Sequence, residues 1–177
     1  FEANAKDGHG NDWPIRYEDL APWYDYVERF VGISGNADGL PQLPDGIFQP
    51  PFEMTAPERD FTALMKEKHP DKPVIMSRCA HLTAPQKIQV ELGRMQCMAR
   101  NECQKGCSFG AYFSTQSATL PAAARTGNLY ITPNSVVESV IYSDQTQKAV
   151  GVRVIDNDTL EQREYYGKMV FLCASTL

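Results

Sequence analysis

The nine residues Lys148 to Asp156, KAVGVRVID, put Val150, Val152 and Val154 at every second position. A period of two belongs to a strand with one face turned to a core, because successive side chains point to opposite sides of the pleat. Val136 to Ser143 repeats the pattern with Val137, Val140 and Tyr142, and Asp144 to Gln147 supplies the turn between the two runs. Asn157 and Asp158 form a second turn, after which Glu161 to Tyr166 returns. Three strands joined by such short turns pair as an antiparallel meander. On either side, Asn128 to Thr132 and the apolar run Lys168 to Ala174 read as further strands, the latter buried. Cys173 in that run, and Cys79 earlier, read as core residues.

The upstream part follows a different period. Leu20, Trp23, Tyr24, Val27, Phe30 and Val31 recur at three- and four-residue spacing and end at Gly32, which predicts an amphipathic helix. Pro22 predicts a start at or just before that position. Thr55, Pro57 and Glu58 have the pattern of a capping box with proline in the first turn, opening a helix through Phe61, Leu64 and Met65 that stops before Pro70. Residues 1–12 and the proline- and glycine-rich stretch 34–54 read as irregular chain, Pro73 to Ser77 as a short strand, and Ser114 to Ala124 as a short helix. The fold class is therefore α+β with α/β character.

Composition narrows the function. A net charge of -5 and an acidic balance argue against a nucleic-acid surface, which needs clustered cations to neutralise phosphates. Lys66, Lys68 and Lys72 are a solvated helix face and its sequel. No apolar run approaches the roughly 20 residues needed to span a bilayer. The chain begins with Phe1 and ends in CASTL within an apparent element, so it reads as a segment of a longer protein.

Three of the five cysteines fall in Cys97 to Cys107 with the spacing C-x5-C-x3-C. Thiolates close together on an irregular loop can converge on one metal centre. A structural zinc site wants a fourth ligand, and no histidine lies within ten residues of the cluster. Three thiolates suit an iron–sulfur cluster better. A disulfide between two of them, which would require a periplasmic or extracellular setting, and free thiols shaping a turn stay open on the residues alone. Cytoplasm and periplasm both stay open as compartments.

The ordered combination of these stretches resembles one family. DWPIRYEDLAPWYDYVERFVGISG, from Asp12, is similar to the segment D-W-P-x-x-Y-x-D-L-x-P-Y-Y-x-x-x-E-x-x-x-G of the glucose–methanol–choline (GMC) flavin oxidoreductases. TLPAAARTGNLYITPNSVVESVIYSDQTQKAVGVRVID, from Thr119, resembles their P-A-x-x-x-x-N-L-x-I-x-x-x-x-x-V-x-x-I segment, and the closing K-M-V-F-L-C-A-S matches as well. Within the family the stretch around the cysteines, with G-C-x-x-G-A, is most similar to the bacterial sugar and gluconate dehydrogenase branch.

The resemblance implies a partial FAD-binding domain of the glutathione-reductase type. Residues 1–110 would belong to a cap or substrate region and 111–177 to the FAD-binding domain. It implies oxidation of a CH–OH group in a sugar, polyol or sugar acid with hydride transfer to flavin. Val137 would offer backbone groups to the adenine of FAD, and Ala174 and Ser175 would sit where relatives carry Ala-Gly against the dinucleotide. Ser175 departs from that glycine. Some relatives carry an iron–sulfur cluster where Cys97, Cys103 and Cys107 stand, passing electrons to an external acceptor, a further subunit or a cytochrome. No G-x-G-x-x-G turn occurs here, and no catalytic residue is assigned within this segment. His9, His69 and His81 read as structural or exposed, with His81 the best of them for lining a substrate cavity. A non-catalytic assembly module is the other reading, with the proline-rich arm 40–52 and its Phe48 and Phe52 docking another subunit.

Overall fold

The computed structural model describes residues 1–175. Among the described residues five α-helices and a 3-10 turn at Cys103–Lys105 precede three strands: α1 (Ala3–Asp7), α2 (Tyr17–Val31), α3 (Ala56–Lys68), α4 (Lys87–Glu91), α5 (Thr119–Arg125), β1 (Ser135–Ser143), β2 (Lys148–Asp156) and β3 (Gln162–Tyr166). The chain forms two compact units, Phe1–Asn128 and Leu129–Leu177, the second described through Ser175.

Helix α2 starts five residues before Pro22, earlier than the proline predicts. The Asp19 carboxylate accepts the Arg16 backbone N–H at 2.8 Å and fixes the first turn. The proline then forfeits a single helical hydrogen bond, to the carbonyl four residues back. Gly32 ends the helix at φ +78°, and a Cβ there would run into the Leu82 side chain. The predicted capping box opens α3: Glu58 accepts the Thr55 backbone N–H at 2.7 Å and its hydroxyl at 2.8 Å. The helix ends at Lys68, with His69 as its cap.

The core of the first unit is small and largely polar. Val31, Leu82, Ala111 and Ala118 are buried, but so are Ser34, Gln49, Gln89 and Arg94. Each buried polar side chain has a backbone partner, although the Gln49 amide nitrogen has none. Gln49 Oε1 accepts the N–H groups of Thr83 and Ala84, both at 3.0 Å. Gln89 Nε2 donates to the Arg29 carbonyl at the end of α2. The stretch 34–54 is irregular as expected, and Ser34 anchors it through bridges to Gln49 and Cys79.

In the second unit the strand order is β1-β2-β3, antiparallel throughout, as the alternation predicts. Val137 pairs with Val154, Val140 with Val152, and Val152 in turn with Tyr165. A bulge lies between Val137 and Ser139. Gly151 is required at the centre, because a Cβ would strike the Tyr165 carbonyl on β3. Val154 is 5% exposed, but Val136, Val137, Tyr142 and Tyr166 remain exposed. Three strands by themselves cover only part of an apolar face.

Several expectations fail. Asn128 to Thr132 and Lys168 to Ala174 are not strands; among the described residues nothing pairs with them. Tyr130 is 92% and Phe171 77% exposed, and Cys173 is exposed rather than core. A strand is stabilised by a neighbour, and an apolar run without one has no ladder to join. Pro73 to Ser77 is likewise irregular, pairing only beyond its end through the Cys79 bridge. Within the stretch 1–12, α1 replaces part of the expected loop, closed by Gly8 at φ +74°.

Candidate functional site

The cysteine loop is suspended between backbone ladders of the first unit. Cys97 N–H donates to the Leu82 carbonyl at 2.7 Å, and Met95 N–H to the Phe109 carbonyl at 2.8 Å. Leu82 N–H donates to the Ala111 carbonyl at 3.1 Å, so residues 82, 97 and 111 lie side by side. A bridge pairs His81 with Tyr112. These bonds bring Cys97, Cys103 and Cys107, together with His81, around one narrow concavity of about 20 Å³. Met98 and Phe109 complete its apolar lining, and Arg100, Glu102 and Ser108 its polar side.

His81 is the residue that sequence spacing missed. It stands 16 positions before Cys97, yet its Nε2 lies 3.2 Å from Cys103 Sγ. The ring stacks on Tyr112 at 4.9 Å and meets Phe52 edge-on at 5.9 Å. Burial holds its pKa below the ordinary histidine value, so the neutral ring is favoured. Its Nδ1 is buried without a hydrogen-bond partner. The histidine that the local sequence lacks is thus supplied by a bridge between distant segments.

Cys107 occupies an electrostatically different place. Burial pushes its thiol up, but hydrogen bonds from the backbones of Tyr112, Phe109, Ala111 and Gly110 outweigh that and hold it below the usual thiol range. Nearby Arg94 is only 1% exposed. Its guanidinium donates to the carbonyls of Gly110 at 2.8 Å, Val31 at 2.6 Å and Ala111 at 3.1 Å, and lies over the Phe113 ring. Among the described residues no carboxylate pairs with it. No short-range signal marks Arg94 in the sequence, since its partners lie up to 63 positions away.

All five cysteines are free thiols, so the disulfide reading is not realised in this structure. Among the described residues no three His, Cys, Asp or Glu side chains stand in metal-binding geometry. The donors are of the right kind for a thiolate-held group, with soft sulfur around one concavity, one in an amide cradle and one touched by an imidazole, but they do not converge on a common centre.

The other predicted contacts lie in the second unit. Val137 is on β1 beside the bulge and 55% exposed. Ala174 and Ser175 form a bend after β3, both exposed. Ser175 has φ +66°, in the left-handed region that glycine adopts most easily. Its backbone therefore has the conformation that a glycine would favour at that place.

Residues 6–177 match the sequence model of the family described as GMC oxidoreductase. The chain belongs to the GMC oxidoreductase family. It is also 27% identical over 169 residues to the fructose dehydrogenase large subunit of Gluconobacter japonicus. That alignment takes in 92% of this chain and 29% of the relative, so the chain spans less than a third of that protein's length. The GMC match runs through both units, and so includes the cysteine loop as well as the meander. No helix among the described residues is long and apolar enough to cross a membrane.

Proposed function

We propose that the full-length protein is an FAD-dependent dehydrogenase that oxidises a CH–OH group of a sugar, polyol or sugar acid. The observation that carries this reading is the family match across residues 6–177, joined to a relative named as a sugar dehydrogenase subunit. FAD, when bound, supplies the hydride acceptor for oxidation of a carbinol carbon. Val137 would present backbone groups to the adenine, and Ala174 and Ser175 would let the chain approach the dinucleotide closely. The exposure of Val137 and the left-handed backbone at Ser175 favour these roles.

In this reading residues 1–110 serve a cap or substrate region and 111–177 part of a glutathione-reductase-like FAD-binding domain. The unpaired apolar runs 128–132 and 168–174 would then lie against sheet strands from elsewhere in the full-length protein. Cys97, Cys103 and Cys107 would hold an iron–sulfur relay that passes electrons to an external acceptor, either a further subunit or a cytochrome. Two features support the relay: the shared concavity and the amide cradle at Cys107. Amide hydrogen bonds to ligand sulfur stabilise its negative charge.

The test is substrate reduction of the full-length protein under anaerobic conditions. Fructose, gluconate and a panel of polyols are added singly, and the flavin absorbance is followed. Bleaching by one of them is expected. A protein that binds no FAD, or whose flavin none of them reduces, would contradict the reading.

A further inference from the structure

We propose that the cavity between the end of α2 and the stretch 47–50 binds a neutral molecule with neighbouring hydroxyl groups, a sugar or polyol, through Glu28 and the side-chain amide of Gln49. The reading above names no residue for such hydroxyls; this cavity supplies two, and without any part played by flavin. It holds about 370 Å³, within the roughly 300–1,000 Å³ of small-molecule sites. Glu28, Arg29 and Gly32 form one wall, Ile47 and Gln49 another, and Ile88 of α4 closes it. All of them belong to the first unit.

Gln49 is only 8% exposed, and its Oε1 accepts the N–H groups of Thr83 and Ala84. Those two donors fix which end of the amide is the nitrogen. Nε2 is therefore a donor, and among the described residues it has no hydrogen-bond partner. It stands on the Gly32 side, where a Cβ would come within 3.0 Å of it, and Gly32 belongs to the cavity wall. A buried amide N–H without an acceptor is costly, and an incoming oxygen relieves that cost. Glu28 supplies the complementary acceptor. Its Oε2 takes the Ile47 N–H at 3.3 Å and leaves carboxylate lone pairs for a further donor. Burial raises the Glu28 carboxyl pKa above the ordinary value, as suits an oxygen partly shut away from water. A ligand carboxylate would satisfy Gln49 and repel Glu28, and an ammonium would do the reverse. A hydroxyl accepts and donates at a single oxygen, so neighbouring hydroxyls on one molecule answer both groups. The apolar sides of Ile47 and Ile88 suit the C–H faces of such a molecule.

The test is calorimetric titration of the full-length protein with sorbitol and with gluconate, without oxygen, with the flavin spectrum recorded on the same samples. Sorbitol is expected to bind, and to bind more tightly than gluconate, whose carboxylate meets Glu28. Ile88→Trp fills the cavity from an exposed position on α4 and touches neither the Gln49 nor the Glu28 hydrogen bonds. It is expected to weaken sorbitol binding by about tenfold or more. Gln49→Glu keeps an acceptor for Thr83 and Ala84 but puts an oxygen where the Nε2 donor was, and should weaken binding by about tenfold. Unfolding midpoints measured without ligand show which variants fold as the wild type does, and if one does not, the other decides. No binding of sorbitol by the wild type, tighter binding of gluconate, or unchanged affinity in a well-folded variant overturns the proposal. Sorbitol bound at this cavity beside a flavin that no sugar or polyol reduces contradicts the reading above and leaves the binding site standing. Flavin reduced by a sugar, with sorbitol affinity unchanged in both variants, does the opposite.

Discussion

In the first unit the loop from Arg94 to Phe113 has almost no regular structure, and buried side chains bonded to distant backbone hold it in place. In the second unit, β1 to β3 form a continuous antiparallel ladder, yet among the described residues Val154 alone makes up the buried apolar core there. Arg94 ties the end of α2 to Gly110 and Ala111, and so fixes the backbone on which Cys107 sits. The meander has no comparable anchor; its register comes from cross-strand pairs such as Val137 with Val154. Buried polar anchors fix the sulfur-bearing loop without a sheet around it. A meander needs only its ladder, and its exposed apolar residues are free to meet another surface.

Four substitutions would break or sharpen that contrast. The largest effect is expected for Arg94→Met, which leaves the Gly110 and Val31 carbonyls without that donor in a buried site, while Ala111 keeps the Leu82 N–H. Orphaned buried groups cost about 1–3 kcal/mol each, and relaxation recovers part of it, so a loss of about 3 kcal/mol is expected. Denaturant unfolding of the full-length protein measures it, and a change within about 0.5 kcal/mol, as at an ordinary surface site, would break the anchoring account. Next, Gly151→Val drives a side chain into the Tyr165 carbonyl and should cost about 2 kcal/mol, comparable to overpacking a core. Amide exchange should show the loss confined to β2 and β3; loss in the cysteine loop as well would show that the two regions are coupled.

A smaller effect is expected at the α3 cap. Glu58→Ala removes the acceptor of the Thr55 N–H and hydroxyl, and should cost about 1 kcal/mol, read as a lower unfolding midpoint with unchanged slope. The smallest concerns Asp156 at the end of β2. Hydrogen bonds from the Thr159 and Asp158 backbone N–H groups, both at 3.0 Å, hold its carboxyl below the ordinary carboxylate value. A carboxyl whose folded pKa is depressed adds stability that is present above its unfolded pKa and lost as pH falls through its folded one. The stability gap between wild type and Asp156→Asn should therefore be open at neutral pH and close on acidification. A gap that widens on acidification would contradict the assignment.

What was legible in the sequence were the features with short-range causes. The period of α2, the Thr55 and Glu58 cap, and the three strands of the meander all follow from residues a few positions apart. Pro22 misplaced the start of α2 because Asp19 secures the first turn ahead of it. The runs 128–132 and 168–174 have strand composition without a strand's partner, so alternation and apolarity overstated them. At the candidate site the cysteines were visible through their spacing. His81 was discounted on distance along the chain, which the bridge to Tyr112 makes irrelevant. Arg94 was invisible, because a buried cation satisfied only by carbonyls leaves no pattern in the residues around it.

We propose that this GMC segment belongs to a flavin dehydrogenase whose cysteine loop carries electrons onward. The most direct measurement is an anaerobic absorbance spectrum of the full-length protein before and after sugar, with FAD, iron and labile sulfide assayed on the same sample. Bound FAD, iron and sulfide together, with absorbance that bleaches on substrate, is the expected result. Intact, substrate-reducible flavin without iron or sulfide would contradict the relay, and absence of FAD would contradict the dehydrogenase.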